Sequence, residues 1–329
     1  MRFDMLFGPI LPLLQVRNPE ELLSTPSDAD REALAGVNEL LVIGAGGKMG
    51  PSLVARARRA APHAKIIAVA RSGGDIAADL LDREQINSLP DSNNLIFLAG
   101  RKFGSTGNEG LTWATNVLLP AMIAERYRNA RIVALSSGNV YPLTASGATE
   151  QTPPAPAGEY AQSVLARERV FQHFSNCHGT RVALLRLNYA IDVRYGVLLD
   201  IGQKVFARQP VSVAMGAVNV IWQGDANSVV LRSLALASSP PFVMNVTGPG
   251  ILKVRDLAER FGKIFGVEPR FEGREAETAL LNDASLCHRL MGAPSVSLDQ
   301  MIEMVADWIR AGGETHNKPT HFEVRDGKF

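Results

Sequence analysis

Residues 38–50, NELLVIGAGGKMG, decide how the rest of the chain is read. An apolar run, LLVIG, stops at Gly44 and is followed by Gly46, Gly47 and Gly50 at the mouth of a helical segment over 48–60. Glycine is needed at such a junction because the turn is tight, the backbone must approach an anion closely, and the helix must pack on the strand it follows. The free amides at the helix start then face the anion with the positive end of the helix dipole behind them. Alone, this glycine spacing is a weak signal. Between an apolar strand and a helix it marks a dinucleotide site, with Lys48 and Met49 inside the loop.

Outward from this loop, short apolar runs alternate with helical patterns. KIIAVAR (65–71), NLIFLAG (94–100), ARIVALSS (130–137) and TRVALLRL (180–187) read as strands, and 110–128 and Tyr160 to Cys177 as helices. Strands alternating with helices predict an α/β fold, a Rossmann-type doubly wound parallel sheet covered on both faces. Beyond residue 190 the pattern loosens into turn-rich pieces, and only 255–265 and 298–310 read as helices by apolar spacing. The expected organisation is an N-terminal extension (1–37) and a dinucleotide-binding domain (38–190, completed by 218–246). A smaller C-terminal substrate lobe (191–217 and 247–310) and a tail (311–329) follow. In the extension, STPSDADREALAG (24–36) reads as a short helix capped by Ser27 or Asp28 and stopped at Gly36. The tail, AGGETHNKPTHFEVRDGKF, is polar and turn-rich and reads as a surface tail or a partner-binding strap.

Composition narrows the class. At 329 residues the chain is long enough for a large core and a second lobe. A net charge of +1, with 20% charged and 46% hydrophobic residues, argues against disorder and against a nucleic-acid surface, which leaves a small molecule as the expected partner. Cys177 and Cys287 are far apart and in no metal-like spacing, which fits a reducing, cytoplasmic setting without disulfide or zinc. The opening MRFDMLFGPILPLLQV is apolar but short for a membrane span and broken by two prolines, so it reads as an apolar arm. No membrane partner is expected.

The end of the second strand selects the cofactor, because an acid there bonds a ribose 2′-hydroxyl and repels a 2′-phosphate. Here Ala70, Arg71 and Ser72 offer no acid, and Arg71 can clamp a phosphate, so NADP is favoured over NAD.

With these residues in view, the chain over roughly 38–310 resembles the extended short-chain dehydrogenase/reductases of the NAD-dependent epimerase/dehydratase type. The likeness rests on the glycine loop, DLLD (79–82), IFLAG (96–100), Asn116, LSSGNVYP (135–142), GEYAQS (158–163) and LRLN (185–188). In the second half it rests on VIWQGDAN (220–227), FVMNVTGPGILKVRDLAERF (242–261) and LMGAPSVSLDQMIEMVADWI (290–309). The resemblance implies that Asp79 and Leu80 edge the adenine and that Ala99, Gly100 and Asn116 serve the cofactor. Ser137 would bond the reacting oxygen, and Tyr160 would be the general acid/base. It also implies a homodimer built on the helices around 111–128 and 160–176. The activity implied is an NAD(P)-dependent oxidoreductase or epimerase acting on a sugar, sugar acid or nucleotide sugar. Two alternatives keep the fold: a silent cofactor-binding sensor or scaffold, and a lyase or epimerase that recycles a tightly held NAD.

Three departures matter. The position four after Tyr160, where the family carries a lysine that bonds the ribose and favours the phenolate, holds Val164. No lysine lies between Lys102 and Lys204, and Arg167, seven residues on, is about 10 Å further along the axis and so out of direct reach. Lys102, in the loop after 94–100, is the nearer candidate for phenol or substrate. Gly138 and Asn139 stand where the family's sugar dehydratases carry an acidic pair, which disfavours that subclass. In RLNYAID (186–192), Tyr189, Ala190 and Ile191 replace a common Tyr-Gly-Pro wall. Asn139, Asn188 and Arg194 join Lys102 as candidate substrate contacts, Arg101 and Tyr195 as further candidates to hold an anion, whereas Arg186 reads as structural. His173, His178 and His288 read as surface or packing residues, and no metal site is expected.

Overall fold

The computed structural model describes residues 18–102, 104 and 106–328. The apolar arm expected over the first sixteen residues lies outside them. The central sheet has seven strands: β1 (Glu39–Ile43), β2 (Lys65–Ala70), β3 (Ile76–Ala77), β4 (Asn94–Phe97), β5 (Arg131–Ser137), β6 (Arg181–Leu187) and β7 (Phe242–Val246). All pair in parallel, in the spatial order β7-β6-β5-β4-β1-β2-β3. The chain order reverses between β1 and β4, so a crevice opens beyond their carboxyl ends, where doubly wound sheets bind ligands.

Apolar runs rather than alternating ones form these strands because both faces are covered. On one face Leu53, Val54 and Ala57 of the helix Gly50–Ala60 pack with Val230 and Leu231 of Gln223–Arg232. On the other, Leu119, Met122 and Ile123 of Leu119–Arg126 pack with Phe171 of Gly158–His178. That last helix stops at Gly179, whose φ of 70° is the left-handed cap glycine accepts without strain. The second lobe has its own core, from Leu198 and Ile201 of Val197–Phe206, Leu257 and Phe261 of Val254–Phe265, and Ile302 and Val305 of Leu298–Arg310.

The two ends of the chain are tied down more firmly than the sequence indicates. A short helix, Pro19–Ser24, precedes the expected one, Asp28–Leu34, which is closed by a Ser27–Asp30 capping box. Asp30 is fully buried and pairs with Arg56 at 2.6 Å, pinning the extension to the helix that follows the glycine loop. The tail is not a surface tail: Phe322 is 2% exposed in the second-lobe core, and Thr320 reaches the crevice. Among the described residues no helix is long and apolar enough to cross a membrane.

Candidate active site at the switch-point crevice

The glycine loop is pressed against its neighbours at both ends. Gly44 has φ 83°, and a Cβ there would lie 2.5 Å from the Ala99 nitrogen at the end of β4. A Cβ on Gly50 would lie 2.0 Å from the Ala45 carbonyl oxygen, so only glycine lets the helix begin this close to the strand. The loop borders a cleft of about 300 Å³ whose far side is formed by Ser137, Tyr160, Asn188 and Tyr195. Such a cradle, with bare backbone facing an open crevice at a helix start, fits the pyrophosphate of a dinucleotide.

Tyr160 enters the cleft from the first turn of Gly158–His178 and is hydrogen-bonded to Ser137 at the end of β5. Burial pushes its phenol up, while the Ser137 bond and the Arg167 charge pull it back down. Ser137 Oγ in turn lies 3.0 Å from Asn139 Oδ1 and accepts from the Asn139 amide at 3.2 Å. Val164, one turn on, is 1% exposed and packs with Val140, Tyr141 and Ala148 beneath the tyrosine, so an apolar cluster fills the space where a lysine would run.

Arg167 joins the site through its charge. Side chains lean toward the helix N-terminus, so a long one recovers much of the distance its Cα concedes. Its guanidinium lines the same cleft and donates to Leu135 O at 2.9 Å and to Asn116 Oδ1 at 2.6 Å. Burial pushes it down to about 10, against the pull of Tyr160 and Glu168, which leaves it charged at neutral pH. Asn116 sits in a single π-helical turn, Ala114–Leu118, and is fully buried. Its Oδ1 also accepts from the Arg101 amide, and its Nδ2 donates to Arg101 O and Ser163 Oγ. It thus positions Arg167.

Two lysines line the crevice. Lys48 Nζ donates to Ala190 O at 2.5 Å and lies 3.9 Å from the centre of the Tyr195 ring. Burial pushes this ammonium down to about 7, with Asp192 and Asp200 opposing and Arg194 and Lys102 reinforcing the fall. Lys102 Nζ lies 5.9 Å from the centre of the Tyr160 ring and 3.5 Å from Thr320 O, and burial pushes it down to about 8 against Asp200 and Glu323. Tyr189 beside them holds φ 42°, a left-handed conformation rare outside glycine and common at functional sites.

Other expected site residues are placed as follows. Asn188 lines the cleft and donates to Asn219 Oδ1 at 2.7 Å. Gly46, Gly47 and Met49 lie in the loop, Ala99 and Gly100 follow β4, and Arg71 is exposed beyond β2. Asp79 is exposed and caps the Leu81 amide, while Leu80 is buried. Arg194 is not available as the expected substrate clamp: it meets Asp192 at 2.8 Å and Glu20 of the extension at 2.7 Å. Arg186 is held by Glu168 and Tyr141, the structural role expected of it. Gly138 has a physical reason, since a Cβ there would lie 2.7 Å from Asn282 Oδ1 and any larger residue would have to displace that side chain. Among the described residues no group of His, Cys, Asp or Glu could hold a metal ion. Sequence reasoning missed Thr320, Asp200 and the packing of the tail. Only Phe322, set in a polar stretch, could have signalled the last.

Fold and loop together define the class, a doubly wound α/β protein with a second lobe and a glycine loop opening on the switch-point crevice. The model of the NAD dependent epimerase/dehydratase family matches residues 40–191, on the cofactor side of the chain. Among solved structures, a tyrosine-to-phenylalanine mutant of UDP-glucuronic acid 4-epimerase from Bacillus cereus, in complex with UDP-4-deoxy-4-fluoro-glucuronic acid and NAD, is similar at TM-score 0.72 and 17% identity. The match covers 83% of this chain and 99% of that one. A UDP-glucose 4-epimerase complex with NAD from Thermus thermophilus is similar at TM-score 0.68 and 18% identity, with the same coverage. An epimerase from Methanothermobacter thermautotrophicus has TM-score 0.72 and 17% identity, covering 90% of this chain and 97% of its own. No curated protein matches the sequence.

Proposed function

We propose that the protein is an NAD(P)-dependent oxidoreductase or epimerase acting on a sugar-type substrate, with Tyr160 as general acid/base. The observation that carries this reading is the Tyr160–Ser137 hydrogen bond in the cleft bordered by the glycine loop. A pure cofactor sensor has no use for that paired hydroxyl. A nicotinamide bound there supplies the hydride acceptor. Ser137 orients the substrate hydroxyl, and the Tyr160 phenolate takes its proton as the carbinol carbon is oxidised. Arg167 takes over the electrostatic part of the missing lysine's work, because a fixed cation lowers the energy of the phenolate. The names of the similar structures support NAD as cofactor and a sugar as substrate. Arg71, with no acid beside it, favours NADP. Leu111, Trp113 and Leu118, exposed at 37%, 37% and 52% beside the tyrosine helix, support a homodimer on that face.

The test is native mass spectrometry for retained nucleotide, then titration with the four cofactor forms and a screen of sugars and sugar acids. Tyr160→Phe should lower turnover by about 10²- to 10⁴-fold with cofactor affinity preserved. Full turnover in that variant would refute the role of the phenol.

A further inference from the structure

The tail is anchored at four places around the cleft. His316 N donates to Arg194 O at 3.1 Å. Thr320 donates to Asp200 Oδ2 through its amide at 2.8 Å and its hydroxyl at 2.5 Å. Arg325 donates to Thr278 O at 2.5 Å and Oγ1 at 2.9 Å. Gly327 O is so close to the start of the tyrosine helix that a Cβ on Gly158 would lie 2.4 Å from it. Between these anchors Phe322 plugs the second-lobe core, so the segment is integral to the fold. It runs from the second lobe to the first turn of the helix that carries Tyr160.

Thr320 and Lys102 therefore form one wall. The threonine lines the cleft, and its carbonyl faces the ammonium that lies beside Tyr160. The space between this wall and the glycine loop amounts to about 300 Å³. That is the lower limit of ligand sites, which run from about 300 to 1,000 Å³. The nicotinamide end of a cofactor takes part of it.

We infer that the C-terminal strap is a specificity element that limits the substrate to a compact, unlinked sugar or sugar acid and excludes a nucleoside diphosphate sugar. This rests on the reading of the site as a sugar oxidoreductase or epimerase. The charged groups facing this space are Lys48, Lys102, Arg167, Asp200 and Glu323, with Asp192 held by Arg194. Asp200 is itself pushed up by burial and engaged by Thr320, so Lys48, Lys102 and Arg167 together make this space net positive toward an acid group of the substrate.

The experiment compares the intact chain with one ending at residue 313, using glucuronate and UDP-glucuronate as calorimetric probes in the presence of saturating cofactor. The intact chain should bind glucuronate and show no saturable binding of UDP-glucuronate. The shortened chain should bind UDP-glucuronate and lose at least about tenfold in affinity for glucuronate. If the intact chain binds UDP-glucuronate, or both chains treat the two probes alike, the inference is wrong. Because removing Phe322 can unfold the lobe, Thr320→Val, which removes the hydroxyl's bond to Asp200 and leaves every charge in place, should shift both probes in the same directions, and an unchanged probe preference there would also count against the strap. Cofactor titration is scored separately: failure to bind any cofactor form would overturn the proposed function, while the UDP-glucuronate comparison, repeated without cofactor, still judges the strap.

Discussion

Arg167 and Arg186 are equally buried, each 5% exposed, and stand on either side of Glu168, yet their surroundings give them different work. Arg186 donates from Nε and Nη2 to both Glu168 oxygens, at 2.9 and 2.7 Å, and from Nη1 to Tyr141. Burial opposes its charge, but the Glu168 carboxylate outweighs this and pushes its pKa up. Arg167 has the oxygens of Leu135 and Asn116, which are neutral, and burial pushes it down. One cation is cancelled where it stands; the other keeps a field that reaches Tyr160. A buried arginine is structural when its hydrogen bonds neutralise it and functional when they only hold it still.

Breaking the cancelled pair should give the largest effect. Glu168→Ala strands Arg186 as an unpaired buried charge and should cost about 3–5 kcal/mol in urea unfolding. Arg167→Met should cost less, about 1–3 kcal/mol, since it leaves unpaired acceptors but no buried ion. Arg167→Lys should retain more turnover than Arg167→Met, because it keeps the charge and loses the fork.

Lys48 sharpens the contrast with a third cation, one whose charge depends on pH. In the free protein it titrates at about 7. An anionic cofactor held by the loop would raise that value, so binding takes up a proton. Affinity should then be greatest below pH 7 and fall by up to about tenfold per unit as pH rises through it. Cofactor fluorescence titrations from pH 6 to 9 should show this slope in the intact chain and a flat profile in Lys48→Met. The smallest effect is expected at the exposed rim, where Arg71→Ala should weaken NADP(H) by about tenfold and leave NAD(H) nearly unchanged. Equal losses for both would remove the case for NADP.

The sheet, the glycine loop and the Ser137–Tyr160 arrangement were legible because each depends on local pattern: apolar runs, turn glycines and the first turn of a helix. The helices over 254–265 and 298–310 were legible for the same reason. The charge of Arg167 on Tyr160 was not legible because Cα spacing says nothing of where a long side chain leans, and of the two partners of Arg194 only Asp192 is near in sequence, Glu20 lying 174 residues away. The strap was hidden because its contacts are mainly single polar bonds from a polar segment, with one buried phenylalanine among them. Such contacts leave no periodicity.

The most direct measurement is an ultraviolet titration of tyrosinate in the intact chain, with Tyr160→Phe subtracted to isolate one phenol, repeated in Arg167→Met. If Arg167 does the work of the absent lysine, the Tyr160 phenol should titrate about one unit or more higher in Arg167→Met than in the intact chain, since one unit corresponds to about 1.4 kcal/mol of lost interaction with the phenolate. Identical titrations in the two proteins would contradict that assignment and leave the tyrosine without its cation.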